Sequence, residues 1–387
     1  MLIINANITT MESQNFENGY IKYENGVITD VGNMNFAPQD DNVIDACGAD
    51  VYPGFIDAHS HIGMWEDALA AEGDDGNEET DPLTPHMSAL DAVNPTDRCF
   101  SEALDAGITT VLTGPGSANP ISGSWIAMKT HGRRIDDMVI NSNVGMKFSL
   151  GENPKSVYNA KGQSPATRMA TAALIREQLI KAKRYMTDLA HAEQDDDFDP
   201  PEYDSKCEAL MPVLKRESKA FFHAHRSDDI FTALRIANEF GLDCVLVHAT
   251  DGHEIADILS AENAKIITGP VICDRSKPEL KGHTIKNTGV LQKAGIQTAI
   301  CTDHPVIPIQ YLTISTGLCV KGGMDADEAL RAITINAAQI CGIDDTVGSI
   351  KPGKHADFVM FDTDPFSVYA SPKAVIINGE LVRGEVK

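Results

Sequence analysis

Runs of β-branched and apolar residues alternate with helix-forming segments through the middle of the chain. This alternation is typical of a parallel sheet whose strands are joined by helical crossovers. The strand count fits a (β/α)8 TIM barrel, an α/β fold. We predict its strands at 53–59, 108–112, 138–143, 144–149, 219–223, 243–248, 264–268 and 297–302. The third and fourth predicted strands share one continuous stretch, 138–150. A single strand together with the segment that leads into it would also explain this stretch.

Both ends of the chain have a different pattern, with short strand-like runs and tight turns. Asn-Gly pairs at 25–26 and 378–379 separate apolar runs, which is a strong signal for a β-hairpin. Two β-rich termini around one long middle segment predict a small β-sandwich built from both ends. We therefore expect residues 1–52 and 346–387 to form the sandwich and residues 53–345 to form the barrel.

Composition narrows the class of protein. The formal net charge of −24, without a basic stripe, disfavours binding to nucleic acid. No apolar run reaches the roughly 18 residues that a membrane span needs, and no leader is evident, so we expect a soluble cytoplasmic protein without a membrane partner. The eight cysteines are scattered and are expected to be reduced. A homo-oligomer remains an open alternative.

Histidines end three of the predicted barrel strands, and an aspartate ends the eighth. The side chains concerned are His59 and His61, His223 and His225, His248, and Asp303. Strand periodicity places two residues that are two apart on one face, and barrel active sites form at the carboxyl ends of the strands. Neutral imidazole is a common ligand of zinc and related ions. One such histidine is usually structural, but the coincidence on four strands predicts a metal site.

These residues, the segment 53–61 and the tail segment 347–357 together resemble the amidohydrolase superfamily over nearly the whole chain. Within it, the chain is most similar to the imidazolonepropionase-related branch, which includes prolidase-like dipeptidases. The resemblance implies that the chain binds one or two divalent ions, and we expect these to be zinc. It also implies that His223 is the metal ligand on strand five, while His225 supports the ligands from outside or contacts the substrate.

The same resemblance implies a bridging lysine on strand four that carries a carbamate. Lys147 lies at that position among apolar residues, where an unpaired ammonium would be costly. Glu152 is a competing bridge. If neither is a ligand, the centre holds a single ion, as in the deaminases of the superfamily.

Substrate contacts are less clearly marked. His225, Arg226, His304 and Glu152 are candidates near the predicted strand ends, and Arg168, Arg275 and Lys277 could also pair with a substrate carboxylate. Salt bridges to the many acidic side chains would equally explain these basic residues. The glycine-rich segment 113–120 and the acidic segment 65–85 follow barrel strands, so either could face the substrate or be an ordinary surface loop.

These residues predict a metal-dependent hydrolase that uses activated water against a C–N bond of a small molecule. Asp303 and the ligand His248 are the expected catalytic residues, with Asp303 moving the proton. An amide, cyclic amide or dipeptide-like substrate is favoured by Lys147. The alternatives are an aminohydrolase (deaminase) with one ion and, in another class, a non-catalytic barrel scaffold.

Overall fold

A computed structural model describes residues 1–67 and 69–386. The two termini join in one mixed sheet of eight strands. In it, Leu2–Ile8 pairs in parallel with Val43–Asp45 and with Asp50–Pro53, while the other neighbouring strands are antiparallel. Strands from both ends of the chain therefore share one sheet. The strands are β1 (Leu2–Ile8), β2 (Phe16–Glu24), β3 (Val27–Asn33), β4 (Val43–Asp45), β5 (Asp50–Pro53), β14 (Phe358–Phe361), β15 (Ala374–Ile377) and β16 (Glu380–Gly384).

The middle of the chain forms a second sheet of eight strands, which is a nearly closed barrel. At its open seam, His61 N donates to His304 O at 2.8 Å and Asp303 N donates to His59 O at 3.1 Å. The seam is therefore joined at the rim that carries the strand-end histidines. The strands are β6 (Phe55–Ser60), β7 (Ile108–Thr113), β8 (Ile121–Lys129), β9 (Val139–Ser149), β10 (Lys219–Ala224), β11 (Cys244–His248), β12 (Lys265–Thr268) and β13 (Gln297–Ile300).

The third strand differs from the prediction. Residues 138–149 do not form two strands but fall almost wholly within β9, and the third strand is β8, which the sequence analysis missed. β8 runs antiparallel to both β7 and β9, so the sheet is not fully parallel. Seven residues separate β7 from β8 and nine separate β8 from β9. These connections are too short for a crossover, which needs a dozen or more residues.

Helices and short 3-10 turns occupy the remaining connections. The long insertion after β9 is helical. Among the described residues the helices are α1 (Arg98–Asp105), α2 (Ile135–Met138), α3 (Glu152–Ala160), α4 (Arg168–Ala192), α5 (Ser205–Leu214), α6 (Ser227–Phe240), α7 (Ala256–Ala261), α8 (Asn287–Lys293), α9 (Leu312–Lys321), α10 (Ala326–Ala332) and α11 (Ile335–Cys341). None of them is both long and apolar enough to cross a membrane.

Alternation along β9 and β10 decides which side chains reach the barrel interior. Phe148 and Phe222 stack at 4.8 Å and pack in one apolar cluster with residues of α4, α5 and α6. Successive side chains of a strand point to opposite faces. Lys147, Phe221 and His223 therefore project into the interior, where all three are buried.

One buried ion pair connects the barrel with the terminal sheet. Lys129 Nζ at the end of β8 contacts Asp357 Oδ2, and the two side chains are 3% and 5% exposed. Asp357 also accepts a hydrogen bond from Asn378 N at 2.9 Å. Removing one partner of such a pair leaves an uncompensated buried charge, whereas replacing both with apolar residues is far less costly.

We therefore expect Asp357→Ala to lower the free energy of unfolding by about 3 to 5 kcal/mol. The double variant Lys129→Met with Asp357→Leu should lose less than this single variant. Denaturant unfolding checks both. Asp136→Ala, which breaks the exposed pair with Arg134, is the control and should show no measurable loss. Equal effects of Asp357→Ala and Asp136→Ala would show that the buried pair contributes nothing.

Candidate metal centre

The first group of candidate ligands lies where the barrel seam closes. His59 Nε2 and His61 Nε2 lie 3.1 Å and 3.3 Å from Asp303 Oδ1. His61 Nδ1 is 2.6 Å from Gly114 O. A carbonyl oxygen only accepts, so Nδ1 carries the proton and the lone pair of Nε2 faces Asp303. This arrangement fixes His61 in the tautomer that a metal ligand requires.

A second group comes from β10 and β11. Ligand atoms of His223, His225 and His248 lie within 4.8 Å of one another. His248 Nδ1 donates to Gly269 O at 2.7 Å, which again leaves Nε2 unprotonated. The ring centroids of His59 and His248 are 5.4 Å apart, so the two groups adjoin. The structure thus brings together the strand-end residues that the sequence analysis selected on four strands.

Lys147 lies beneath these residues without a hydrogen-bond partner. Its Nζ atom is buried and lies 4.6 Å from the centre of the Trp125 ring. Burial lowers the pKa of Lys147 to about 8, although the charge of Asp303 opposes this change. The neutral amine is therefore more populated near physiological pH than it is in an ordinary lysine.

The donor set suits a divalent cation. Burial holds the pKa values of His59 and His223 well below the ordinary value and lowers that of His248 to about 4. Both ring nitrogens of His223 and Nδ1 of His59 are buried without hydrogen-bond partners, and Nε2 of His59 faces the Asp303 carboxylate. Neutral imidazoles with unused nitrogens beside a carboxylate fit zinc or a related ion.

A cleft of about 520 Å³ opens onto these ligands. His61, His223 and Asp303 line it. The cleft is also lined by residues of the two loops that the sequence analysis considered. These are Trp65, Asn77 and Glu79 from the acidic segment, and Gly116, Ser117 and Ala118 from the glycine-rich segment. Both segments therefore face the cleft.

The predicted substrate contacts divide into two groups. His225 lines the cleft, and its Nδ1 lies 2.7 Å from Thr250 Oγ1. Arg226, His304 and Glu152 are not among the lining residues. Arg226 pairs with Asp228 at 2.9 Å, and Glu152 begins α3. His304 is buried beside Asp303, and burial lowers its pKa to about 4.

Two residues that the sequence analysis missed also adjoin the candidate ligands. Asp57 is buried and accepts hydrogen bonds from Thr302 N at 3.2 Å and Thr302 Oγ1 at 2.5 Å, which ties β6 to the segment after β13. Burial raises the pKa of Asp57 to about 7. Trp125 stacks between His59 at 4.3 Å and Phe221 at 4.5 Å. The two-residue spacing of Asp57 from His59 was a usable signal, whereas Trp125 lies in the strand that was missed.

Comparison with known proteins identifies the family of the chain. The sequence model described as "Amidohydrolase family" matches residues 51–382, which is most of the chain. The chain belongs to the amidohydrolase family. Members of this family hydrolyse carbon–nitrogen bonds and use divalent metal ions. The resemblance seen in the strand-end motifs is confirmed.

Several amidohydrolases are similar over nearly all of the chain. The crystal structure of an amidohydrolase from Thermotoga maritima MSB8 is 38% identical, with a TM-score of 0.95 over 99% of this chain and 100% of that one. Amidohydrolase tasK of Hapsidospora irregularis is 28% identical over 93% of this chain, which spans only 39% of tasK. The 5-methylthioadenosine/S-adenosylhomocysteine deaminase of Bacillus cereus (strain 03BB102) is 26% identical over 93% of this chain and 84% of the deaminase.

Proposed function

We propose that this amidohydrolase hydrolyses the C–N bond of an amide, a cyclic amide or a dipeptide-like small molecule with metal-activated water. The observation that carries the proposal is the adjacency of two groups of candidate ligands at the ends of β6, β10, β11 and β13, of which His61, His223 and Asp303 line one cleft. Both ring nitrogens of His223 and Nδ1 of His59 have no hydrogen-bond partner that would explain their burial. Membership of the amidohydrolase family supports the same reaction class.

The residues divide into ligands for two ions, for which we propose zinc. His59, His61 and Asp303 would hold one, while His223 and His248 would hold the other. A bound divalent ion supplies Lewis acidity, which makes water a nucleophile near neutral pH and polarises the scissile carbonyl. Gly114 O and Gly269 O orient His61 and His248 by accepting their Nδ1 protons.

Lys147 is the proposed bridge between the two ions. Its neutral amine nitrogen would attack the carbon of carbon dioxide and lose one proton, and the product is an anionic carbamate. The lowered pKa, the interior position and the absence of a hydrogen-bond partner all support this modification. Glu152 is the weaker candidate, because it begins α3 and its side chain does not line the cleft.

Asp303 is the proposed proton carrier. The attacking water gives up a proton as its oxygen bonds to the carbonyl carbon, and the departing nitrogen needs a proton as the C–N bond breaks. Asp303 lies in the cleft, so it can accept the first proton and return it to the nitrogen. His225 borders the cleft and is proposed to contact the substrate.

A deaminase with one bound ion is the second candidate function. The similarity to the 5-methylthioadenosine/S-adenosylhomocysteine deaminase over 93% of the chain favours it. Metal analysis and product analysis separate the two. Two ions per chain, a carbamate on Lys147 and cleavage of N-acyl amino acids would support the amidase. One ion, an unmodified lysine and release of ammonia from 5-methylthioadenosine would support the deaminase.

Metal binding itself is testable through stability. Because the ion binds the folded ligand set, zinc should stabilise metal-stripped protein by about 2.7 kcal/mol at a hundredfold excess over Kd. Calorimetric melting should show a higher Tm with zinc. Magnesium, which prefers oxygen ligands, should have a much smaller effect. If neither ion binds nor changes Tm and no substrate is cleaved, the chain would be a non-catalytic scaffold.

We also propose that the chain divides as its sequence predicts, with a barrel at 53–345 and a small β-sandwich formed by 1–52 and 346–387. One apolar cluster supports this division, because residues from β1, β2 and β5 pack there with residues from β14 and β15. The sheet would fold over this cluster, so that the cluster becomes the core of the sandwich. Neither terminus alone supplies all of the residues of this core.

A further inference from the structure

Lys277 is the one lysine or arginine that lines the cleft within the described part of the chain. It lies in the connection after β12, and its side chain is 41% exposed. The ligands His61, His223 and Asp303 border the same cleft. A single cationic side chain in a cleft that contains the candidate ligands is suited to bind an anionic group of the substrate.

The ammonium of Lys277 is held in place but is only partly used. Its Nζ donates to Asn153 Oδ1 at 2.9 Å, and Asn153 Nδ2 donates in turn to Ser117 Oγ at 2.6 Å. The nearest carboxylate oxygen, Glu279 Oε1, is 3.9 Å away, which is longer than a hydrogen bond. An ammonium has three donors, so two remain for a ligand.

The other basic residues considered from the sequence are already engaged elsewhere. Arg168 Nε pairs with Asp229 at 3.0 Å, and Arg226 pairs with Asp228 at 2.9 Å. Arg275 Nη2 donates to His283 O at 2.7 Å. None of the three lines the cleft. Among the basic residues that the sequence analysis considered for binding a substrate carboxylate, the structure therefore favours Lys277.

Lys277 is also close enough to the ligands to contact a small substrate during hydrolysis. Glu279 Oε1 lies 3.8 Å from His225 Nε2 and 3.9 Å from Lys277 Nζ, so both residues flank the same buried oxygen atom. In an N-acyl amino acid the carboxylate carbon is two bonds from the scissile nitrogen, about 2.5 Å away. A carboxylate on Lys277 would thus leave the scissile bond near the candidate metal ligands.

We propose that Lys277, positioned by Asn153, binds the free carboxylate of an N-acyl amino acid or dipeptide whose amide bond is cleaved at the metal centre. This inference rests on the proposed amidohydrolase function and names its substrate class. Lys277 contributes ground-state binding and takes no part in proton transfer. Its loss should therefore raise KM far more than it lowers kcat.

The test compares carboxylates with neutral analogues on the metal-loaded enzyme. A panel of N-acetyl amino acids and dipeptides is assayed beside the corresponding C-terminal amides, which lack the negative charge. The carboxylates should have kcat/KM about 10 to 100 times higher, as expected for loss of a charge-assisted hydrogen bond. Lys277→Gln should remove this preference by raising KM for the acids alone, and Lys277→Arg should keep part of it.

Arg275→Gln is the matched control, since it removes a neighbouring cation outside the cleft and should leave the preference intact. Equal rates for acids and amides would overturn the inference while leaving the proposed function in place. A Lys277→Gln variant that loses acids and amides alike would also overturn it and indicate a structural role. If no C–N substrate of any class is cleaved, the proposed function fails, and the inference fails with it.

Discussion

Asp303→Asn is expected to lower kcat by a factor of about 10² to 10⁴, the usual contribution of a positioned general acid and base. The amide keeps the size of the side chain but cannot accept a proton from water. Asp303 Oδ1 lies within 3.3 Å of both His59 and His61, so the change also weakens one ligand set. Metal content must therefore be measured on the assayed sample.

Two results would be informative for Asp303. Full metal content with lost hydrolysis would assign proton transfer to its carboxylate. An active Asn variant with full metal content would remove Asp303 from that role. Asp196→Asn, in an exposed loop, is the control for loss of a negative charge and should behave as the wild type.

Lys147→Met is expected to change activity and stability in opposite directions. In the metal-free protein, the variant replaces a buried amine that has no hydrogen-bond partner with an apolar side chain of similar length. This should raise the free energy of unfolding by roughly 1 to 3 kcal/mol near pH 7. In the metal-loaded protein, the same change removes the proposed bridge, so one ion and most of the activity should be lost.

The stability gain of Lys147→Met should depend on pH. The pKa of the folded lysine is about 8, below its ordinary value of 10.5. The unfolded chain therefore binds more protons between these two values, and wild-type stability rises with pH across that range. The advantage of the variant should be full below pH 8 and should disappear above pH 10.5. Thermal melts with chelator present test this, with the exposed Lys183→Met as control.

The sequence predicted which strand-end side chains come together, because the signal for this clustering is local. Two histidines that are two residues apart at the end of an apolar strand lie on the same face of that strand and at the carboxyl rim of the barrel. The ends of all strands meet at this rim, independently of the loop conformations. The structure brings His61, His223 and Asp303 to one cleft for this reason. The same reasoning, applied two residues earlier, would have found Asp57.

Other features depend on contacts that the sequence does not display. The strand β8 contains Gly123 and follows a glycine-rich segment, so its pattern resembles a loop, and its antiparallel direction follows only from short connections on both sides. The choice of Lys277 over Arg168 or Arg226 depended on which acidic neighbour each side chain meets. Arg168 and Asp229 lie 61 positions apart, so their pairing cannot be deduced from local spacing.

The reversed direction of β8 has a practical consequence for redesign of this enzyme. In a strictly parallel barrel, a segment at the catalytic rim connects a strand to a helix, and its replacement disturbs the packing of that helix. Here residues 114–120 leave β7 and enter β8 at the same rim, so they form a turn anchored at both ends by sheet hydrogen bonds. Exchanging this turn would alter selectivity without breaking a strand-to-helix connection, provided that Ser117 and Asn119, which hydrogen-bond with Asn153 and Tyr158 of α3, are kept.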